Sequence, residues 1–269
     1  MTETKLLAYH DDPAIKAKYM AIVEGHRLAD EIVQGYGYWD DGKGCAVGCT
    51  LHSDRHQDYP AELGIPEVLA WLEDLIFECI PVVEARRWPG RFLAAPEPGA
   101  DLSLVWPKFA VWLLSSDDLG LPRMADRAGK LALAQVVALH QRTIEGDHPS
   151  PFEWTTAALA AGSAVSSAEG AASRLTALSA EGAASVSAPI LVCRLSGWPA
   201  AREAAMDAAR ASGWGCPESV AWLADHAPVR GGPEAAPWRA AVSAAVKAAC
   251  LKMADRLLAL MAEAPVAAH

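Results

Sequence analysis

The stretch Asp12-Pro13-Ala14-Ile15-Lys16-Ala17-Lys18-Tyr19-Met20-Ala21-Ile22-Val23-Glu24-Gly25-His26 decides the fold class. Asp12 is a good N-cap residue, and Pro13 fits the first helical position, where its missing N–H costs nothing. Ile15, Tyr19, Ile22, His26, Ala29 and Val33 then recur at three- and four-residue spacing, the apolar face of one helix that stops at Gly35. Lys16, Lys18, Glu24, Arg27, Asp30 and Glu31 fall largely on other faces.

The same period continues downstream. A helix opening at Pro66 has Val68, Leu69, Leu72, Leu75, Ile76 and Cys79 on one face, and Glu73 and Glu78 read as solvent-facing charges. Shorter pieces cover Pro81–Arg87 and Pro89–Ala95. Leu102–Leu114 reads as a buried helix with Trp106, Phe109 and Trp112. Proline deep in a helix costs about 3 kcal/mol, so Pro107 moves its start toward Trp106. Leu133, Val137, His140 and Ile144 mark a long helix over Pro122–Glu145. The last helix opens at Pro233, with Trp238, Val242, Ala245, Ala249, Met253, Leu257 and Leu260 as its stripe. No region alternates apolar and polar residues for long, so the pattern predicts an all-α protein.

Alanine is sparse before Glu145 and dense afterwards, and the change follows Gly146-Asp147-His148-Pro149-Ser150-Pro151. This places one helical region at 1–146 and an Ala-rich helical bundle or array at 151–269. Ser167–Ser173 recurs as Ser179–Ser185, an offset of twelve residues. Helical solenoid repeats are about 33–47 residues long, so this duplication is not a solenoid. Trp39, Trp71, Trp88, Trp106 and Trp112 are expected to anchor the first core, and Trp198, Trp214, Trp222 and Trp238 to fill space left by alanine.

The chain has 33 acidic against 23 basic side chains, a net charge of −10 that argues against nonspecific nucleic-acid binding. A membrane-spanning helix needs about 20 apolar residues, and the most hydrophobic run, Phe109–Leu114, has six. Met1-Thr2-Glu3-Thr4-Lys5 shows no secretory pattern. Six scattered cysteines, Cys45, Cys49, Cys79, Cys193, Cys216 and Cys250, point to a reduced, cytoplasmic setting.

Chemistry concentrates in Gly44-Cys45-Ala46-Val47-Gly48-Cys49-Thr50-Leu51-His52-Ser53-Asp54-Arg55-His56. As a continuous helix it would place Cys45, Cys49, His52 and His56 on one face. Three readings follow. Those four residues could ligate zinc or iron, although three turns span about 16 Å and one ion would need a break or a ligand from elsewhere. Cys45 could be a nucleophile for acyl or amide chemistry, its thiolate favoured by a helix N-terminus, with His52 or His56 as base. On a straight helix His52 lies about 10 Å away, so His26 or His140 is an equal candidate. The third reading is structural: small residues allow close helix approach, and buried cysteine behaves as a small hydrophobe.

Gly37 to Gly42-Lys43 matches G-x₄-G-K, but Gly44 replaces the hydroxyl residue of a phosphate loop. Glu145-Gly146-Asp147-His148 supplies one E-x₂-H, whereas a di-iron bundle needs two. The segment from Gln34-Gly35-Tyr36 through Gly42-Lys43-Gly44-Cys45-Ala46-Val47-Gly48-Cys49-Thr50-Leu51-His52 resembles a family of uncharacterised bacterial and phage-encoded proteins. Glu62-Leu63-Gly64-Ile65-Pro66, Leu72-Glu73-Asp74 and Gly99-Ala100-Asp101-Leu102 extend the resemblance over about the first 115 residues. It implies a phage or mobile-element setting and assigns no catalytic residue. The expectation is a cytoplasmic accessory protein without a cofactor, acting through a protein partner or self-association. The rival is a cysteine-dependent enzyme using Cys45, with His52 and His26.

Overall fold

The computed structural model describes residues 6–36, 38–117, 119, 121–167 and 236–266. These are 69% helical and 4% strand, an all-α fold. Helix α1 covers Pro13–Leu28, and the Asp12 carboxylate accepts the Ala14 N–H at 2.8 Å. It ends earlier than Gly35 because Asp30 takes φ 60° and the Glu31 N–H returns to the His26 carbonyl at 3.0 Å. Val33 therefore leaves the helical stripe and pairs with Gly44 instead.

A small hairpin follows. Strands β1 (Trp39–Asp40) and β2 (Lys43–Gly44) pair antiparallel, Trp39 opposite Gly44. Asp41 and Gly42, both at positive φ, make the tight turn, as an Asp-Gly pair favours. Lys43 is thereby a strand residue opposite Asp40, and Gly37 lies outside the described residues.

Helices α2 (Ala46–Leu51), α3 (Tyr59–Leu63), α4 (Glu67–Cys79), α5 (Val82–Ala85) and α6 (Trp88–Ala94) come next. Then follow α7 (Val105–Ser115), α8 (Leu121–Met124), α9 (Arg127–Ile144) and α10 (Pro151–Ser167). The final described helix is α11 (Ala236–Ala262). Beginning α7 at Val105 puts Pro107 in the first turn, where it disrupts no helical bond.

The described residues fall into two compact units, interleaved in sequence. One holds residues 6–109, 143–146 and 252–266; the other holds those of 110–142 and 147–251. In the first unit, α1 packs on α2 and α6, and α4 packs on α2, α3 and α6. Tyr59, Leu63, Leu69, Leu72, Phe77, Trp88 and Phe92 are fully buried between them. The chain end joins this unit: the Asp101 N–H donates to the Pro265 carbonyl, and Ala100 bridges Val266. Glu73 is 0% exposed, which corrects its reading as a solvent-facing charge. It sits among the apolar residues of α4 because Tyr59 supplies it a hydrogen bond there.

In the second unit, Ala157, Ala161 and Ala164 form the buried face of α10, and Ala132, Leu133 and Val136 are buried on α9. The turn between these helices is fixed by charge. Arg142 donates to Asp147 at 2.6 Å and to Glu153 at 2.5 Å. Arg142 and the Ser150 donors hold the Glu153 carboxyl down at about 2. Buried His140 packs against the Trp154 ring at 4.8 Å. The duplication at 167–185, Trp198, Trp214, Trp222, Cys193, Cys216 and Pro233 lie outside the described residues, apart from Ser167 at the end of α10.

Candidate functional site

The Cys/His segment is not one continuous helix. Cys45 is the N-cap of α2, and His52 closes it in the left-handed region at φ 54°, its N–H on the Gly48 carbonyl at 2.7 Å. A short 3-10 turn, His56–Asp58, leads into α3. The expected common face of Cys45, Cys49, His52 and His56 is thus broken at His52, and the four side chains serve different neighbourhoods. Among the described residues, no group of three or more His, Cys, Asp or Glu is placed to hold a metal ion.

One neighbourhood is sealed. Cys45 is 2% exposed and faces the Asp74 carboxylate of α4. Burial first, then the nearby Asp74 charge, push its thiol well above the usual range, against a smaller opposing pull from the Val47 and Gly48 amides. Cys49 is fully buried, its Sγ 3.4 Å from the Gly44 carbonyl. Burial and the Glu31 charge push this thiol up to about 12. His56 is buried too, stacked on the Trp71 indole at 3.5 Å with the Tyr38 ring edge-on at 5.4 Å. Its Nε2 lies 3.5 Å from Asp74 Oδ2. Beside them the Tyr59 hydroxyl donates to Glu73 at 2.6 Å, and burial lifts the Glu73 carboxyl to about 8. His56 Nε2, Glu73 Oε1 and Asp74 Oδ1 lack hydrogen-bond partners.

The covering hairpin fits too closely for any side chain at Gly48. A Cβ there would collide with the Tyr38 carbonyl, the same oxygen that accepts the Cys45 N–H. The small residues of this segment therefore serve a backbone-to-backbone approach.

The other neighbourhood is open. His26, near the end of α1, places Nδ1 2.7 Å from Glu31 Oε2 and Nε2 2.8 Å from His52 Nε2. Trp39 stacks on the His52 ring at 4.3 Å and 21°, and meets His26 edge-on at 5.2 Å. His52 is exposed and lines an open cavity of about 300 Å³ with Lys18, Tyr19, Thr50, Ser53, Asp58 and Glu62. Burial, followed by the neighbouring His26, lowers the His52 imidazole below its ordinary value.

The structure therefore brings His26 and His52 together and sets Cys45 against Asp74 instead. The sequence pattern assigns no site role to Glu31, Tyr59 or Asp74, and marks Trp39 only as a core anchor. For Trp39 the signal is Asp41-Gly42, a hairpin turn that sets Trp39 opposite Gly44, with its ring stacked on His52 at the end of α2. His140 sits inside the second unit, while Glu145 and His148 are exposed around the α9–α10 turn. No helix among the described residues is long and apolar enough to cross a membrane. Comparison of the chain with known protein families, with curated proteins and with solved structures found no match.

Proposed function

We propose that the protein is a phage- or prophage-type accessory protein acting through helix-mediated contacts, with the α9–α10 face of the second unit as its contact surface and self-association as its first mode. The observation that carries this reading is that three large apolar side chains on these two helices are exposed. Leu131 is 61% exposed, Leu159 67% and Phe152 78%. Leu131 lines an open trough of about 390 Å³ with Ala128, Ala132, Gln135, Ala160, Ser163 and Ala164. Removing apolar surface from water stabilises by about 25 cal/mol per Å², so covering these side chains with a second copy favours association. Small residues in the trough let another helix approach closely. The resemblance of the first 115 residues supports the phage setting.

The thiol chemistry of Cys45 finds less support. A nucleophilic cysteine works as a thiolate in an electropositive, partly exposed setting. Cys45 is buried beside a carboxylate that favours the protonated form.

Light scattering over a concentration series tests the contact reading. The wild type is expected to form dimers or larger species that dissociate on dilution. The double variant Leu131→Asp, Leu159→Asp is expected to stay monomeric with unchanged circular dichroism. A wild type that is strictly monomeric at every concentration refutes self-association through this face.

A further inference from the structure

We infer that the Glu31–His26–His52 chain is an acid–base catalytic centre for small neutral esters bound in the cavity beside His52. The inference is independent of the contact surface proposed above, because every residue it uses lies in the first unit.

The geometry gives each group one role. Glu31 only accepts as a carboxylate, so the His26 nitrogen 2.7 Å from it, Nδ1, carries a proton and donates. In the neutral pair His26 Nε2 then holds a lone pair, and the His52 N–H 2.8 Å away donates to it. That fixes the His52 tautomer and leaves Nδ1 as its basic nitrogen. When Nδ1 takes a proton, the new imidazolium is hydrogen-bonded to His26, which is in turn hydrogen-bonded to the Glu31 carboxylate. This is the logic of a base oriented by a third group. Trp39, stacked on the ring, holds its plane.

Two further observations point to function. His52 is a non-glycine residue held at φ 54° and ψ 38° where α2 ends, a backbone conformation uncommon for side chains other than glycine. The ring also borders a cavity rather than packing shut.

The walls select the substrate class. Lys18, Tyr19, Asp58 and Glu62 line the same cavity as His52, and His26 and Glu31 are hydrogen-bonded to His52 in series. Glu62 accepts the Tyr19 hydroxyl at 2.6 Å, and Asp58 lies 3.3 Å from Arg55. With Arg55 paired to Asp58, two carboxylates meet two cations, Lys18 and Arg55, so the wall carries no net charge and suits a neutral substrate rather than a phosphate or carboxylate. The Ser53 oxygen accepts the Arg55 N–H, which frees its own proton for a carbonyl oxygen; Lys18 is the second donor. In the reaction, water adds to the ester carbonyl carbon while its proton passes to His52 Nδ1. The carbon–oxygen bond to the leaving group breaks, and the imidazolium returns the proton to the departing alkoxide. A carboxylic acid and an alcohol result.

The test is hydrolysis of p-nitrophenyl acetate by the full chain. Saturable turnover is expected, rising with pH as the His52 imidazole loses its proton, and p-nitrophenyl phosphate should not be cleaved. His52→Gln should lose about 10²-fold in rate. Glu31 is a positioning residue: Glu31→Gln should reduce kcat about tenfold and shift the pH midpoint, and Glu31→Asp should restore part of both. If His52→Gln fails to fold, the Glu31 pair and the wild-type pH profile decide. A rate equal in wild type and His52→Gln, or one that ignores pH, overturns the inference. So does loss of turnover in Cys45→Ser with His52 intact.

Discussion

Cys45 and His52 stand at the two ends of one short helix and meet opposite environments. At the Cys45 end the hairpin backbone, Asp74 and the Trp71–His56 stack exclude water, and burial holds the thiol protonated. At the His52 end the chain turns left-handed, and the imidazole meets another imidazole, an indole and solvent. Both ends carry residue types able to do chemistry. Water access and the charge of the nearest neighbour separate a packing group from a working one.

The sharpest way to break the sealed end is Gly48→Ala. The added methyl meets the Tyr38 carbonyl, a backbone atom that moves only with the whole hairpin. A loss of about 3 kcal/mol is expected in denaturant melts. His52→Ala, at the other end of the same helix, should cost about 1 kcal/mol or less, through loss of one hydrogen bond.

The sealed layer should also show in pH dependence. Glu73 is lifted from 4.5 to about 8, chiefly by burial. A carboxyl raised on folding keeps its proton more strongly in the folded chain, so ionisation favours unfolding. The stability contributed by this group should be fully present below pH 4.5, fall between 4.5 and about 8, and be lost above. The slope contributed by this group reaches about 1.4 kcal/mol per pH unit. Glu73→Gln keeps an acceptor for the Tyr59 hydroxyl and should flatten that slope in urea melts taken across the window. A wild type whose stability is unchanged from pH 5 to 8 would contradict this.

Smaller still is the effect on thiol labelling. In native protein Cys79, half-buried at the end of α4, should alkylate before Cys45 and Cys49, which should react only on unfolding. Asp74→Asn removes the anion facing Cys45 and should speed its labelling modestly, since burial is the larger cause.

The segment's two characters were unequally legible in the sequence. Local rules placed helix starts better than ends: Asp12-Pro13 opens α1 and Pro107 falls in the first turn of α7, but α1 stops at Leu28 and the helix expected over Pro122–Glu145 is divided into α8 and α9. Asp41-Gly42 is itself a hairpin signal, and the turn it makes converts the G-x₄-G-K match into a strand pair. The site residues resisted because their roles are long-range. Nothing local to Glu73 reveals that Tyr59, fourteen residues earlier, will satisfy it in the core. Nor does spacing reveal that His52 will stop its helix in a left-handed turn and so reach His26 across the fold. A periodicity argument assumes the helix continues, and here it ends at the residue that matters.

The central claim is that the working end of this segment is the imidazole of His52. Acylation of the native protein by diethylpyrocarbonate, read residue by residue by mass spectrometry, tests it most directly. His52 should be modified rapidly while His56, stacked on Trp71 with Tyr38 edge-on, stays protected until the protein unfolds. Modification of His56 or Cys45 in native protein as fast as His52 would contradict the account.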